Sequence, residues 1–231
     1  KSGYPFKIKE VIYDDLNHHR EHLYASFYHS GFDEALCFIL DGAGSRLPLA
    51  GVEGYCREIE TVYHMTKEGD KVLFKHYHNE GLIKKPAIEN GNVKISGEPS
   101  VGWLFEDTAL DIGFKWYDAG KVMGLAQYKG YEKELSFQWI EFVDLANRMQ
   151  KKSQEMASNL IRKYADKTGI KNIVITGGYG LNCVANYYYL DKLKDLNIYI
   201  DPICFDSGVS LGAAYYHHLK SGSDLKPLDN I

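Results

Sequence analysis

The first part of the chain alternates short apolar runs with polar breaks. Ile8–Tyr13 is rich in β-formers and predicts a strand, and the residues that follow predict a helix through about Tyr28. That helix is expected to end at His29-Ser30-Gly31, because glycine interrupts helical periodicity. Ala35–Leu40 is continuously apolar, which is typical of a buried strand. The pattern therefore predicts a strand, a helix and a strand in that order.

A β-hairpin is predicted next. Gly54–His64 and Lys71–His78 alternate apolar and polar residues on either side of Lys67-Glu68-Gly69-Asp70. Ile83–Pro99 is polar, contains glycine and proline, and has no period, so we expect a loop or a mobile insertion there.

From Trp103 onward the period becomes helical. A long amphipathic helix is predicted from about Ile140 to Lys167, and Gly169 is expected to end it. The remaining predicted elements are the strand Asn172–Thr176, the helix Cys183–Asp195, the strand Ile198–Cys204 and the helix Gly208–Lys220. Alternating strands and helices indicate an α/β fold.

Three polar turns that contain glycine follow predicted strands. They are Asp41-Gly42-Ala43-Gly44, Gly177-Gly178-Tyr179-Gly180 and Asp206-Ser207-Gly208. Ligands collect at the ends of strands in α/β sheets, and glycine lets phosphate oxygens approach backbone N–H groups. One such turn alone is most often an ordinary connection, but three in one chain favour a ligand site.

His18 and His22 are four positions apart in the predicted first helix. Four residues rotate a helix by about 400°, so the two side chains diverge by only roughly 40° and can share one ion. Asp41 and Asp206 would add two carboxylates, and such a ligand set suits Fe(II), Mn(II) or Zn(II). Two other interpretations stay open: a pair of surface histidines, and Asp206 as only the N-cap of the last helix.

Composition narrows the class of protein. The 231 residues are 45% hydrophobic and 25% charged, which is enough to bury a sizeable core in one or two domains. The net charge of -4, with a pI near 6.1, excludes a broad basic face for nucleic acid or anionic membrane. The four cysteines form no CxxC pair, and no stretch resembles a signal peptide or a membrane span. We therefore expect a cytoplasmic protein without a membrane partner.

Both ends of the sequence suggest an internal piece of a longer protein. Lys1 is not an initiator methionine, and Lys7–Asp14 has the pattern of a strand already in progress. The chain stops at Leu228-Asp229-Asn230-Ile231 without a capping element.

Four segments between Asn17 and Ala214 carry recognisable motifs. They are Asn17–His22 through Phe38–Gly42, Gly120–Ala126, Thr176–Asn182, and Asp206–Ala214. In this order they resemble the motifs of the O-carbamoyltransferase family, which is similar to the threonylcarbamoyl transferases of tRNA modification. Tyr179 stands where that family usually has a smaller residue, and is expected to narrow the nucleotide pocket or to stack on a ring.

The resemblance implies an actin-like ATPase fold, an α/β architecture of two ribonuclease-H-like halves with a nucleotide and a metal in the cleft between them. The fold is expected to be truncated to mostly the second half. Residues 1–36 would be the end of the first half with the metal-binding helix, and residues 37–231 the second half. An earlier phosphate-binding turn and the YrdC-like domain that makes carbamoyl adenylate are expected to be absent.

The resemblance also implies roles for individual residues. The implied metal ligands are His18, His22, Asp41 and Asp206, with Fe(II) the usual ion and Mn or Zn as alternatives. The implied nucleotide contacts are Gly177, Gly178 and Asn182, with Gly120, Lys121 and Gly124 in the segment beside the nucleotide.

The implied function is carbamoyl transfer. A carbamoyl group would move from carbamoyl adenylate, made from carbamoyl phosphate and ATP, to a hydroxyl of a sugar, an antibiotic or a hydroxymethylated pyrimidine nucleotide. In this hypothesis Lys121 neutralises phosphate charge, unless it is only a solvated lysine. His19 is the candidate base for the acceptor hydroxyl, although a surface or hydrogen-bonded histidine is the more frequent case.

Two other functions stay open on the sequence. One is a non-catalytic actin-like nucleotide-binding module, and the other is a kinase or ATP hydrolase of the same fold. Neither needs a metal at His18 and His22, so metal content would separate them from a transferase. The sequence does not predict the oligomeric state.

Overall fold

The structure, a computed structural model, describes residues 17–82, 85–131, 133 and 135–222. The α-helices among them are α1 His18–Ser30, α2 Trp103–Asp111, α3 Ala119–Leu125, α4 Phe137–Thr168, α5 Cys183–Lys192 and α6 Val209–Lys220. The strands are β1 Glu34–Leu40, β2 Arg46–Pro48, β3 Tyr55–Thr66, β4 Gly69–Asn79, β5 Ile88–Asn90, β6 Val93–Ser96, β7 Asn172–Thr176 and β8 Asn197–Ile200. The strand predicted at Ile8–Tyr13 lies outside the described residues.

One mixed sheet runs through the described residues. Its strand order is β5-β6-β4-β3-β1-β7-β8, with β2 beside β3. The central strand β1 is antiparallel to β3, with Phe38 opposite Val62, and parallel to β7, with Phe38 opposite Ile175. Because β1 and β7 are parallel, their carboxyl ends meet at one edge of the sheet.

Helices cover both faces of this sheet. Leu36 and Phe38 of β1 are fully buried in a cluster with side chains of α2, α3, α4 and α5. Cys37 and Ile39 point the other way and pack with side chains of α1 and α6. Successive residues of a strand face opposite sides, so a strand covered on both sides needs apolar residues throughout. This packing explains the continuous apolar run of β1.

Long-range contacts fix the start of α1, where the spaced histidines lie. The His18 backbone N–H donates to Ser45 Oγ at 3.4 Å. Two residues later, the Arg20 guanidinium lies 3.3 Å from Asp70 of β4. The helix ends at Gly31, whose φ of 71° is the left-handed conformation that glycine adopts most easily.

Most predicted elements are confirmed, including the β3–β4 hairpin and the long helix α4, which Gly169 ends with a φ of 77°. The prediction of a loop over Ile83–Pro99 was wrong in part, because β5 and β6 form a small antiparallel pair there and β6 extends the sheet beside β4. The strand predicted at Ile198–Cys204 ends earlier, at Ile200. Strands of three and four residues, such as β5 and β6, leave too short an alternating pattern to be recognised in the sequence.

The predicted division between residues 1–36 and 37–231 stays a prediction. Its boundary falls inside β1, and α1 packs against β1 and β7 of the same sheet. None of the helices among the described residues combines the length and apolar content needed to cross a bilayer.

Candidate functional site

Four ligand-bearing side chains converge at the carboxyl end of β1. His18 and His22 come from the first turns of α1, Asp41 follows β1, and Asp206 lies in a 3-10 turn just before α6. One ligand atom from each lies within 4.8 Å of all the others. The sequence-predicted quartet is therefore brought together in space.

The distances within the quartet are those of a convergent cluster. His18 Nε2 lies 3.0 Å from Asp41 Oδ2 and 3.2 Å from His22 Nε2. His22 Nε2 lies 3.5 Å from Asp206 Oδ1. His22 is buried, whereas the Asp206 side chain is 73% exposed, so the cluster opens to solvent on the Asp206 side. Asp206 is not the N-cap of α6, because Gly208 holds that position.

Charge in the cluster favours an anionic Asp41. Burial alone would raise the pKa of this carboxyl, but the hydrogen bond from His18 and the charges of His22 and His19 hold it well below its usual range. Burial opposes protonation of His18, yet the hydrogen bond and charge of Asp41 raise the pKa of this imidazole. The cluster therefore favours positive charge at its centre.

The donor set fits a first-row divalent cation. Imidazole suits Fe, Zn and related ions, and two carboxylates would balance the charge of a divalent ion. Two Nε2 atoms facing each other at 3.2 Å also cannot both carry a proton comfortably, whereas both could donate a lone pair to one ion. The residues present therefore agree with the metal centre expected from the sequence.

Close backbone packing brings the ligand-bearing elements together. A Cβ at Gly212 of α6 would overlap the carbonyl oxygen of Glu21 in α1, so these helices meet where neither has a side chain between them. On the sheet side, Ser26 Oγ of α1 donates to Thr176 Oγ1 of β7 at 2.8 Å. The backbone N–H of Gly178 donates to Asp41 Oδ1 at 3.1 Å. These contacts fix the ligands before any ion is bound.

A cleft of about 740 Å³ adjoins the cluster. Asp41 and Asp206 belong to its wall, together with Gly42, Ala43, Arg57, Glu80, Gly102, Trp103, Glu106, Trp116, Ala119, Met123, Gly178, Tyr179 and Phe205. A Cβ at Gly102 would lie 2.8 Å from Gly42 Cα, so the start of α2 sits directly on the turn after Asp41. Ser100 Oγ, which donates to the Gly42 carbonyl at 2.7 Å, fixes the same contact.

Of the three nucleotide contacts expected after β7, one lines the cleft and two have structural roles. Gly178 lines the cleft. Gly177 has a φ of 90°, and a Cβ there would overlap the Leu40 carbonyl oxygen, so this position requires glycine for packing. Asn182 is buried, caps α5 by accepting from the Ala185 N–H at 3.1 Å, and bonds to Gln150 through its amide. Its polar atoms therefore face the protein interior.

The Gly120–Gly124 segment forms α3, whose Ala119 and Met123 reach the cleft. Gly120, Lys121 and Gly124 are exposed and are absent from the cleft wall. The Lys121 ammonium lies 2.8 Å from Asp118. Successive helical residues point about 100° apart, so residues next to Ala119 and Met123 face away from the cleft.

His19 does not reach the cleft. It is fully buried, with Nδ1 2.7 Å from Thr61 Oγ1. Burial lowers the pKa of this imidazole to about 4, which keeps it neutral at pH 7. Its Nε2 faces Gly44, where a Cβ would lie 2.6 Å away. As a base for the acceptor hydroxyl, His19 therefore lacks access, because the β1 turn and β3 cover it.

Tyr179 is also directed inward. Its ring is buried 6.1 Å from the Phe105 ring, and its hydroxyl donates to Ser153 Oγ at 2.9 Å. Burial raises the pKa of this phenol to about 12. The ring of Tyr179 is therefore packed against the protein and is not free to stack on a ligand in the cleft.

The cleft residues that the sequence analysis missed include Arg57 of β3, and Trp103 and Glu106 of α2. Arg57 is the cationic side chain among the described wall residues. Burial and the charges of Asp41 and Asp107 raise the pKa of Glu106 to about 7, against a hydrogen bond from Trp103. No local motif marks these residues, since tertiary packing brings them to the cleft.

Comparison with known proteins identifies relatives. Residues 143–215 match the family model described as Carbamoyltransferase N-terminus. An uncharacterized protein of Synechocystis is 25% identical over 85% of this chain and 35% of its own length. Nodulation protein NolNO of Sinorhizobium fredii is 23% identical over 86% of the chain and 30% of its own length. The chain thus spans about a third of the length of these curated relatives.

A solved structure shares the fold. Full-length HypF, in its phosphate- and nucleotide-bound form, superposes with a TM-score of 0.58. The match covers 87% of this chain and 42% of HypF at 15% sequence identity. At that identity the likeness concerns the mixed α/β fold alone.

Proposed function

We propose that the chain is a member of the carbamoyltransferase family, which the match of residues 143–215 and the similarity to NolNO support, and that it is the transfer domain of an O-carbamoyltransferase. It would move the carbamoyl group of carbamoyl adenylate, made from carbamoyl phosphate and ATP, to an acceptor hydroxyl. The observation that carries the proposal is the convergence of His18, His22, Asp41 and Asp206 beside a cleft. We propose further that the fold is the actin-like ATPase fold, mostly its second ribonuclease-H-like half.

The residues proposed to hold a divalent cation, Fe(II) with Mn(II) or Zn(II) as alternatives, are His18, His22, Asp41 and Asp206. When bound, the ion would supply Lewis-acid stabilisation of phosphate and developing oxyanion charge. Asp41 also connects the turn after β1 to the turn after β7, because its Oδ1 accepts a hydrogen bond from the Gly178 N–H. This hydrogen bond would thereby fix the part of the cleft wall against which the donor is proposed to bind.

The donor is proposed to lie along the turns after β1 and β7. Gly42, Gly102 and Gly178 bring backbone to this part of the cleft wall, with the Glu106 carboxylate beside Gly42. Backbone without a Cβ lets phosphate oxygens approach. Arg57 is proposed to pair with the phosphate, a role that the sequence had suggested for Lys121. Trp103 and Trp116 offer indole faces for the adenine or for an acceptor ring.

The proposed compartment is the cytoplasm. All four cysteines are free, and Cys37, Cys56 and Cys204 are buried. Thiols kept reduced agree with a reducing compartment. Proposed acceptors are a sugar, an antibiotic or a hydroxymethylated pyrimidine nucleotide.

The test is a transfer assay on the protein at its full natural length. The protein is incubated with carbamoyl phosphate, ATP, Fe(II) and one of three acceptors: glucose, an aminoglycoside or 5-hydroxymethyl-dCMP. Mass spectrometry should detect the carbamate of one acceptor and stoichiometric AMP. Asp206→Ala should lose bound metal and transfer together, because it removes one of the four proposed ligands.

Two controls sharpen this assay. His64→Gln alters a histidine paired with Glu34 outside the cluster and should keep metal and transfer. Transfer that survives Asp206→Ala unchanged would overturn the metal assignment. Nucleotide binding without transfer to any acceptor and without bound metal would favour the non-catalytic module or the kinase class instead.

A further inference from the structure

We propose that Glu106 is the proton acceptor for the hydroxyl that attacks the carbamoyl group. The inference rests on the proposed transfer reaction and adds a catalytic residue to it. Glu106 lies in the first turn of α2, half-buried and in the cleft wall.

The Glu106 carboxylate lies against the turn that carries the metal ligand Asp41. A Cβ at Gly42 would come within 2.7 Å of Glu106 Oε1, so this oxygen occupies the space that a side chain at Gly42 would need. The cluster and Glu106 therefore flank the same short stretch of backbone. An acceptor hydroxyl between them would meet the carbonyl carbon on one side and a carboxylate oxygen on the other.

The other carboxylates of the described cleft are placed differently. Asp41 and Asp206 point at the two histidines. Glu80 is exposed on the rim. Among the described residues, Glu106 is the half-buried cleft carboxylate outside the cluster, and no basic side chain forms an ion pair with it there.

The chemistry requires such a group. The acceptor oxygen forms a bond to the carbamoyl carbon, the bond from that carbon to the adenylate phosphate oxygen breaks, and AMP leaves with the electron pair. The hydroxyl proton must go to a base, and Glu106 takes it to become a neutral carboxylic acid. After the carbamate product departs, the proton passes to solvent through the open cleft.

The environment of Glu106 supports this role in addition to its position. Burial and neighbouring Asp41 and Asp107 raise the pKa of the carboxyl to about 7. A base is most effective when its pKa lies near the working pH. A hydrogen bond from the Trp103 side chain opposes this rise in pKa only in part, and Glu106 lies in the cleft wall.

The experiment compares two nucleophiles on the protein at its full natural length. One is the acceptor carbamoylated in the assay above, and the other is hydroxylamine, an amine that attacks in its neutral form and needs no prior loss of a proton. Glu106→Gln should lower kcat for the hydroxyl acceptor by about 100-fold or more, the usual contribution of a general base. Transfer to hydroxylamine should stay within a few-fold of wild type, and Glu106→Asp should recover part of the lost kcat.

Asp111→Asn is the matched control, since Asp111 is an exposed carboxylate at the end of the same helix. It should leave both reactions unchanged. Wild-type transfer to the hydroxyl acceptor by Glu106→Gln would overturn the inference, as would an equal loss with both nucleophiles, which would indicate donor positioning. A wild-type protein that carbamoylates neither nucleophile would instead overturn the proposed function on which the inference rests.

Discussion

Three histidines within five positions of α1 lie in two different environments. His18 and His22 share one helix face and meet Asp41, whereas His19, about 100° around the helix, packs under β3 against Thr61. Helical geometry alone separates His19 from the other two. It does not say whether the face that carries His19 is directed to solvent, to substrate or to the core. The sheet decides this, and it turns His19 from a candidate base into a buried neutral side chain.

The buried state of His19 predicts a pH dependence of stability. Its pKa falls from 6.5 to about 4 on folding, so between these values the unfolded chain binds the extra proton. Stability should therefore be intact above about pH 6.5 and be lost as the pH falls toward 4. His19→Gln removes this proton, and should reduce the slope of the unfolding free energy by up to about 1.4 kcal/mol per pH unit in that window.

Urea unfolding of both proteins as a function of pH measures this slope. Above pH 7 the two curves should run parallel, because His19 is neutral in both states there. Equal slopes below pH 6 would contradict the assignment of His19 as a buried neutral group.

Substitutions of two basic residues are expected to have different effects on nucleotide affinity. Arg57 lines the cleft, whereas Lys121 is 66% exposed and paired with Asp118. Arg57→Ala should weaken nucleotide affinity about 10-fold or more, since a charged hydrogen bond contributes roughly 1.5–3 kcal/mol. Lys121→Ala should change it less than about 2-fold, because exposed pairs contribute little. Titration with a fluorescent ATP analogue measures both, and the reverse order would restore Lys121 as the phosphate contact.

At the scale of elements, the crossing of α1 and α6 decides the shape of the candidate metal centre. α1 carries two ligands, and Asp206 lies just before α6. The helices touch at Gly212, against the Glu21 carbonyl. Nothing but a hydrogen fits at that point, so one methyl group would push the two helices apart.

Gly212→Ala should therefore destabilise the fold by about 1–3 kcal/mol, the usual cost of overpacking, and weaken metal binding. Gly124→Ala is the matched control, since Gly124 lies in α3 with open space around it. Alanine there should be neutral or stabilising by up to about 1 kcal/mol, because it favours helix over glycine. Denaturant unfolding and metal analysis test both variants. Equal behaviour of the two would show that the α1–α6 crossing tolerates a side chain.

The elements with a long, regular pattern were predictable from the sequence. The β3–β4 hairpin and α4 have runs of more than ten residues, which leave a clear period. β5 and β6 have three and four residues and no such period, so they were mistaken for a loop. Their strand order is set by contacts between distant segments, which no local pattern records.

The residues of the candidate site likewise fall into those that were predictable from the sequence and those that were not. The metal quartet was predictable because helical spacing and strand-end turns are local signals. Arg57 and Glu106 were not, because each is one charged residue in an otherwise ordinary strand or helix. What makes them cleft residues is the approach of Gly102 to Gly42 and the packing of β3 on β1, which only the folded chain defines.

For the whole molecule, a cation held by α1, the end of β1 and α6 would tie segments from positions 18 to 206 into one unit. A ligand that binds only the folded state at 100 times its Kd adds about 2.7 kcal/mol, which corresponds to roughly 5–10 °C in Tm for a chain of this size. Anaerobic Fe(II) should therefore raise Tm in a concentration-dependent manner, and Asp206→Asn should lose most of this shift. His64→Gln, outside the cluster, should keep it. Calorimetry with and without chelator measures the effect, and an equal shift in Asp206→Asn would mean that the ion binds elsewhere, so that Asp206 owes its place beside the histidines to packing alone.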